Sequence, residues 1–421
     1  MNTAYINKLR EEYIENHTRQ QIREALIEEN NIELRDVKGY HGREILELLQ
    51  NADDAYQKSI DHGNKPNSDL NVEITYQDEC LTISNTGTFF DEDGIKAIVQ
   101  GNNSPKKGKY IGNKGTGFRS ILNWAKVIRI YSGEFAVQFS REFADHIFTE
   151  IQDKPQIAKQ LEKNDKLYIP MLAVPEAIPH NRSADKTTIE VTVDLKKTSD
   201  EYSVERQLDS IDLRILLFLP NISKIRIVTD SKRVVYQRSV NDSYEGSGLK
   251  YKNVILSKIV NDVIEYSEKF KLFNTTVENA FLEDEVYKDV QLAVAVPIGE
   301  KFPIDHLYSF FPLLDTDAPF DCIMHATYSL GDHRNTLIAN DINKKIGQCQ
   351  LNFLFTIAEF LSKEDPGCAQ SILTPKGYYY DPGKFFPAAF SRLSLEDYYV
   401  KGLGDLKIFQ TVTGDLVSTN D

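Results

Sequence analysis

The chain of 421 residues holds 49 Lys and Arg against 63 Asp and Glu, a formal net charge of −14, with 41% hydrophobic and 27% charged residues. These proportions exclude disorder as the whole description, and at roughly 100–200 residues per domain the length corresponds to two or three domains. The acidic balance opposes broad binding to nucleic acid or anionic membrane, and no long basic run overrides it.

Cys80, Cys322, Cys349 and Cys368 lie far apart without a CxxC pair, so neither a disulfide framework nor a thiolate metal site is indicated, and a reducing, cytoplasmic setting is expected. The N-terminus has no apolar signal core, and no run nears the roughly 18 apolar residues that span a bilayer. Scattered histidines without an HxxxH pair argue against zinc, and the missing GxSxG elbow argues against a serine hydrolase.

Residues 1 to about 38 are charge-rich and helix-prone. GYHGREILELLQNADDAYQKSI then has the period of a strongly amphipathic helix, opened by a Gly-containing turn and closed before the turn-rich HGNKPNSDLN. VEITY from 72 and CLTIS from 80 flank a Gln-Asp-Glu turn as a hairpin, and SNTGTFFDEDG leads into a short helix near Ile95. GNNSPKKGKYIGNKGTGF reads as a Gly- and Lys-rich loop ending in a glycine cluster, and RSILNWAK as the start of a helix. VIRIYS, FAVQFS and TTIEVTVDL alternate as strands, with a polar, Lys-rich insertion around 152–186 between the last two. Composition changes near residue 197. ERQLDSIDLRILLFLP predicts a helix, KIRIVTD a strand, and VILSKIV, VQLAVAVPI and CIMHATYSL further strands. NDINKKIGQCQLNFLFTIAEFLSK predicts one long helix. Beyond Pro366 the aromatic-rich GYYYDPGKFFPAAFSRL has no readable period, and the final VTGDLVSTND carries no capping signal, so a longer natural protein is an expectation.

At 100° per residue, Arg43, Glu47, Asn51 and Asp54 fall within an arc of roughly 80°, opposite Ile45, Leu48, Leu49, Ala52 and Ala55. An ordinary surface helix gives the same split. Its polar face usually carries Lys with Glu at i, i+4, whereas here a carboxylate and a carboxamide hold that spacing. Such oxygen donors suit Mg²⁺, which takes one or two protein ligands and completes its shell with phosphate oxygens and water. Gly112, Gly115 and Gly117 of GNKGTGF permit close backbone approach, and a helix following them would direct its first N–H groups at an anion. GxxxxGK[ST] and a GxGxxG turn after a strand are both absent, so taken alone the cluster is a weak phosphate signal.

Together these segments resemble the nucleotide-binding fold of the GHKL ATPases, the superfamily of DNA gyrases, the ninety-kilodalton heat-shock chaperones, histidine kinases and MutL mismatch-repair proteins. ELLQNADDA, from Glu47 to Ala55, is similar to the family's N-box, ISNTGTFF to its first glycine box, IGNKGTGFRS to its second, and KTTIEVTV to its closing Thr-containing strand. ELLQNADDA is also the wording of the sacsin-like subgroup, as are LLFLPNISKIRI and YSFFPLLD. The resemblance implies an α+β fold: an N-terminal Bergerat-type α/β sandwich, with helices packed on one mostly antiparallel sheet, over 1–197. An α/β middle domain over 198–365 and a C-terminal segment of unassigned role over 366–421 would follow.

ATP and Mg²⁺ are the implied cofactors. Glu47 would be the general base that activates the attacking water, Asn51 the Mg²⁺ ligand, and Asp54 a hydrogen-bonding residue of the nucleotide pocket. Most of the family carries an Asp that accepts from the adenine amino group; here the matching residue is Asn85, whose amide oxygen still accepts while base selectivity is expected to weaken. Gly87 would let the backbone approach the base. Gly112, Lys114, Gly115, Thr116, Gly117 and Phe118 of the second glycine box are implied at the nucleotide, with Lys114 the cation nearest phosphate. Lys106, Lys107 and Lys109 fall where the family has a lid, and equally fit a solvated lysine loop. Thr187 matches the Thr that opens the last strand, or is an ordinary strand Thr. In chaperone-like members a middle-domain arginine reaches the γ-phosphate; HATYSLGDHRNTLI resembles that place and makes Arg334 the candidate, against a plain surface arginine.

The implied activity is Mg²⁺-dependent ATP hydrolysis that drives lid closure and homodimerisation in a chaperone-like or antiviral host-defence protein. The alternative is a nucleotide-gated switch with little turnover, acting through a protein client, partner or effector domain. A DNA-clamping role is opposed by the charge of −14, and no membrane partner is implied.

Overall fold

The structure is a computed structural model that describes residues 2–19, 21–39, 42–61, 63, 70–100, 117–161, 166–183, 185–246, 248–283, 286–299, 302–331, 334–377, 385–411 and 415–418. Helices and strands mix throughout, in two compact units. The first comprises Met1–Ile211, Pro220–Tyr236 and Ile259–Val263; the second comprises Asp212–Leu219, Gln237–Lys258 and Ile264–Asp421.

Three helices open the first unit: α1 (Thr3–Arg19), α2 (Ile22–Gly39) and α3 (Glu44–Asp61), the last after a turn at Gly42 with φ +86°. Alternating burial then builds β1 (Leu70–Gln77), which pairs antiparallel with β2 (Cys80–Asn85). Their two-residue turn has Asp78 at φ 48° and Glu79 at φ 59°, the left-handed pair that matches strand twist in a tight hairpin. After α4 (Glu92–Gln100) come β3 (Ala125–Ser132), β4 (Phe135–Ser140), α5 (Arg141–Gln152), α6 (Pro155–Leu161), β5 (Glu176–Ala177), β6 (Thr187–Val193), α7 (Val204–Asp209) and β7 (Ile222–Thr229). The strands of this unit lie in the order β7-β1-β2-β6-β3-β4-β5, antiparallel except where β1 runs parallel to β7.

Two expectations fail in this unit. The 152–186 segment is no polar insertion: Ile157, Ile169, Ala173 and Val174 join Ile22, Leu26, Ala144 and Ile147 in one core. Each large apolar side chain so buried contributes about 1.5–3 kcal/mol, which outweighs the polarity averaged over the segment. RSILNWAK does not form an α-helix either. A 3₁₀ turn, Gly117–Asn123, is closed by Trp124 N–H on Ile121 O at 3.0 Å, and β3 starts at Ala125. The β-branched Val127, Ile128 and Ile130 are taken by pairing with β4 and β6, leaving too little chain for a longer helix.

His17 ties α1 to α2. Its Nδ1 lies 2.8 Å from Tyr13 O and its Nε2 2.9 Å from Glu29 Oε1, two acceptors that together require both ring nitrogens to donate. Burial opposes the imidazolium most, but the Glu29 hydrogen bond and charge, with the Tyr13 carbonyl, prevail and raise the pKa above its ordinary value of 6.5. A raised folded pKa means that this clasp stabilises fully below the unfolded pKa of about 6.5 and is lost as pH rises through the folded value. Relative to His17→Gln, the wild type should therefore lose on the order of 1 kcal/mol of unfolding free energy between pH 6 and pH 9, measured by urea denaturation. A constant difference would show that the ring is neutral.

In the second unit the strands are β8 (Arg233–Gly246), β9 (Leu249–Val260), β10 (Val263–Glu283), β11 (Val286–Pro297), β12 (His306–Ser309), β13 (Phe311–Asp317) and β14 (Ile323–Ala326), except that the start of β8 up to Tyr236, the end of β9 from Ile259 and Val263 of β10 belong to the first unit. They follow the order β13-β12-β14-β11-β10-β9-β8, with β12 parallel to β14. Helix α8 (Asp341–Ser362) is capped by Asn340, whose side chain accepts from Asn343 N–H. The single helix expected over ERQLDSIDLRILLFLP is instead α7 and a separate 3₁₀ turn, Leu213–Leu217, because the Asp212 carboxylate caps Arg214 N–H at 2.9 Å and starts a new element. Residues beyond 365 are integral to this unit: Phe386, Phe390, Tyr399 and Ile408 share one core with Phe273, Val294, Phe320, Met324, Leu354 and Ile357. Among the described residues no helix is long and apolar enough to cross a membrane.

Candidate functional site

The polar arc of α3 is not a solvated face. Glu47 is 3% exposed and Asp54 2%, as buried as Ile45 or Leu48 across the helix, while Asn51 is half-buried. Burial of carboxylates is costly without partners, so the ordinary surface-helix reading does not hold for this stretch.

Gly117 explains part of the enclosure. It opens the 3₁₀ turn directly against Glu47: a Cβ there would run into Glu47 Oε2 and stand 3.1 Å from its Cδ. Phe118 is buried beside it, Ser120 Oγ donates to Gly117 O at 2.7 Å, and Arg119 Nη2 donates to Ile98 O at 3.1 Å. The ISNTGTFF segment closes on the same helix further along. A Cβ at Gly87 would lie 2.8 Å from Ala55 Cβ, 2.9 Å from its carbonyl carbon and 3.0 Å from Tyr56 N, and Thr88 N–H donates to Ala55 O at 2.9 Å. The close approach Gly87 makes is therefore to the backbone of α3. Gly87→Ala should cost about 1–3 kcal/mol of stability in chemical denaturation, because the clash is with main chain that cannot rotate away; a cost near zero would contradict this packing.

Asn85 ends β2, and its Oδ1 accepts Gly87 N–H at 3.0 Å in a local turn that fixes the glycine box. The β2–β6 register sets Thr187 directly opposite Asn85. Thr187 Oγ1 is 2.6 Å from Ser132 Oγ, which also accepts Phe90 N–H at 2.9 Å, so strand β6, strand β3 and the segment after the glycine box share one hydroxyl. Segments distant in sequence thus come together: Gly87 and Gly117 pack on α3, and Asn85 pairs with Thr187. Gly112, Lys114, Gly115 and Thr116, with Lys106, Lys107 and Lys109, lie outside the described residues. Arg334 belongs to the second unit, in the loop between β14 and α8, as its strand-then-helix context predicts. It takes a left-handed φ of 53°, its N–H donates to Gly331 O at 2.9 Å, and a Leu330–Leu337 bridge closes the loop around it. Such a conformation in a non-glycine residue stores of order 1 kcal/mol or more of strain.

Two further buried carboxylates of α3, Asp53 and Glu44, are not singled out by the sequence. Asp53 is tied to the start of β7: its Oδ1 accepts from Asn221 N–H at 2.9 Å and Ile222 N–H at 3.1 Å, and its Oδ2 from Asn221 Nδ2 at 3.0 Å. Burial pushes its carboxyl up to about 6 although the Asn221 and Ile222 donors pull it down. Its position outside the polar arc was the available signal, since an acid on the apolar side of a helix needs a buried partner. Glu44, fully buried, accepts from Asn123 Nδ2 and from Gln207 Nε2, each at 2.8 Å.

Among the described residues no group of three or more His, Cys, Asp or Glu gathers to hold a metal. A cation at α3 would rest on one or two oxygen donors, with half-buried Asn51 supplying the amide. Two open clefts of about 510 and 480 Å³ are lined in part by α2, and none of Glu47, Asn51 and Asp54 lines either. No protein-family model matches this chain, and no curated protein matches it significantly.

Proposed function

We propose that the first unit binds Mg²⁺-ATP and hydrolyses it, as a GHKL-type ATPase of the sacsin-like kind built on a Bergerat-type sandwich. The observation that carries this reading is the convergence on α3: Gly117 of the second glycine box against the Glu47 carboxylate, and Gly87 of the first against Ala55 and Tyr56. The register of Asn85 with Thr187 adds the fourth motif to the same assembly. The mostly antiparallel sheet with helices packed in its core supports the fold assignment.

In this reading Glu47 holds the attacking water and takes its proton, in a setting where burial strengthens each electrostatic contact. Asn51 offers its amide oxygen to Mg²⁺, which when bound neutralises phosphate charge. Gly117, having no side chain, leaves Glu47 in place under the turn. Asp54, Asn85 and Thr187 would contact the nucleotide, and Arg334 is the candidate cation for its γ-phosphate. Lid closure, homodimerisation and a chaperone-like or host-defence setting in the cytoplasm belong to the same proposal.

One observation favours a second reading, a nucleotide-gated switch. Asn85 Oδ1 already serves Gly87 N–H, so it has less capacity for an adenine donor than a carboxylate would. Equilibrium titration with Mg²⁺-ATP tests the common ground of both. Saturable binding should appear, weakened at least about tenfold by Asn51→Ala or by chelating Mg²⁺. Absence of binding to wild type contradicts both readings.

A further inference from the structure

Glu44 sits three residues before Glu47, on the first turn of α3, with no exposure to solvent. Each of its two oxygens has a separate carboxamide donor. Oε1 takes Asn123 Nδ2 at 2.8 Å, and Asn123 is the last residue of the 3₁₀ turn whose first residue, Gly117, abuts Glu47. Oε2 takes Gln207 Nε2 at 2.8 Å, and Gln207 lies in α7 and also donates to Tyr202 O at 3.2 Å. Gln207 Oε1 in turn accepts Ile45 N–H at 3.5 Å, so α7 returns a bond to the backbone of α3. Tyr202 faces Gly42, where a Cβ would come within 2.9 Å of its ring, so this segment also packs on the turn that begins α3. α7 ends at Asp209, shortly before the chain enters the second unit at Asp212.

We infer that Glu44 is a positioning residue for the hydrolytic step: it fixes the Gly117–Asn123 turn and α7 to the helix that carries Glu47, and so holds the Glu47 carboxylate in register with the turn above it. The inference deepens the ATPase reading and rests on it. A carboxylate is needed because both neighbours donate; a carboxamide in its place would set one N–H pair against another. The site is one helical turn from Glu47, so a displaced turn shifts Gly117 relative to the carboxylate while every group assigned to the nucleotide is retained.

The test is Mg²⁺-ATP turnover and binding in wild type, Glu44→Gln and Glu44→Gln/Asn123→Asp, with urea midpoints for each. Glu44→Gln should leave KM and binding within about twofold while kcat falls on the order of 10–100-fold, the loss expected for misplaced catalytic geometry. In the double variant the new carboxamide on α3 donates to the new carboxylate on the turn, and its carbonyl accepts from Gln207, so most of kcat should return. Asn123→Ser, which leaves Glu44 in place, should reproduce the kcat loss and serves should Glu44→Gln not fold. Wild-type turnover with kcat unchanged in Glu44→Gln or in Asn123→Ser overturns the inference and leaves the ATPase reading standing. So does a kcat loss that the double variant fails to restore and that follows the urea midpoint. A wild type that binds but never turns over ends both.

Discussion

Glu47→Ala is expected to reduce Mg²⁺-ATP turnover by at least on the order of 100-fold with nucleotide affinity kept within a few-fold. Glu47 is one of two nearly fully buried carboxylates on the polar arc of α3, and it is the one against which the glycine-box turn closes. A general base acts on the water and not on the bound nucleotide, so its loss should appear in kcat far more than in KM. Glu47→Gln separates chemistry from packing: it keeps the volume and removes the base. Turnover within about threefold of wild type in both variants would assign the proton to another group.

Gly117→Ala should be nearly as damaging to turnover, on the order of 100-fold, while changing stability by less than about 1 kcal/mol. The added methyl meets the far end of the Glu47 side chain, which can swing aside with little loss of packing but then leaves its working position. Gly87→Ala presents the opposite pairing of effects, since its methyl meets the α3 main chain. Two glycines flanking one helix should thus divide cleanly, one reporting on catalysis and one on folding. If kcat in Gly117→Ala stays at the wild-type level, the turn does not constrain Glu47.

Much of this arrangement was legible in sequence because it rests on short-range period. The 3.6-residue pattern of ELLQNADDA, the alternation of VEITY and CLTIS, and the apolar stripe of residues 341–362 all became the elements their patterns predict. What the pattern could not carry was partnership across the chain. Asp53 and Asp54 are indistinguishable as letters, yet one is tied to Asn221 and the other lies on the arc with Glu47. Glu44 and Gln207 are 163 residues apart, and no local rule pairs them. Strands β8 and β10 were not foreseen for a different reason: β10 is exposed along most of its 21 residues, so alternation of apolar with polar side chains, the usual strand signal, is weak there. RSIL fits an α-helix and a 3₁₀ turn alike, and only the demand of β3 for its partners decides between them.

Asn85 is the place where motif and geometry bear on each other most closely. Its oxygen is committed to Gly87 N–H, and its strand partner Thr187 is committed to Ser132. An amide so engaged still has a second lone pair for a base, but lacks the negative charge that would bias it toward an amino donor. In the proposed ATPase such an amide is expected to give weak preference for ATP over GTP, with no effect on the step assigned to Glu47.

The most direct measurement is phosphate release from Mg²⁺-ATP by the wild-type chain, with nucleotide occupancy determined in the same samples. Release that requires Mg²⁺ and saturates with occupancy is the expected result. A fully occupied site that releases no phosphate would contradict hydrolysis at Glu47 and leave the fold as a nucleotide-held switch.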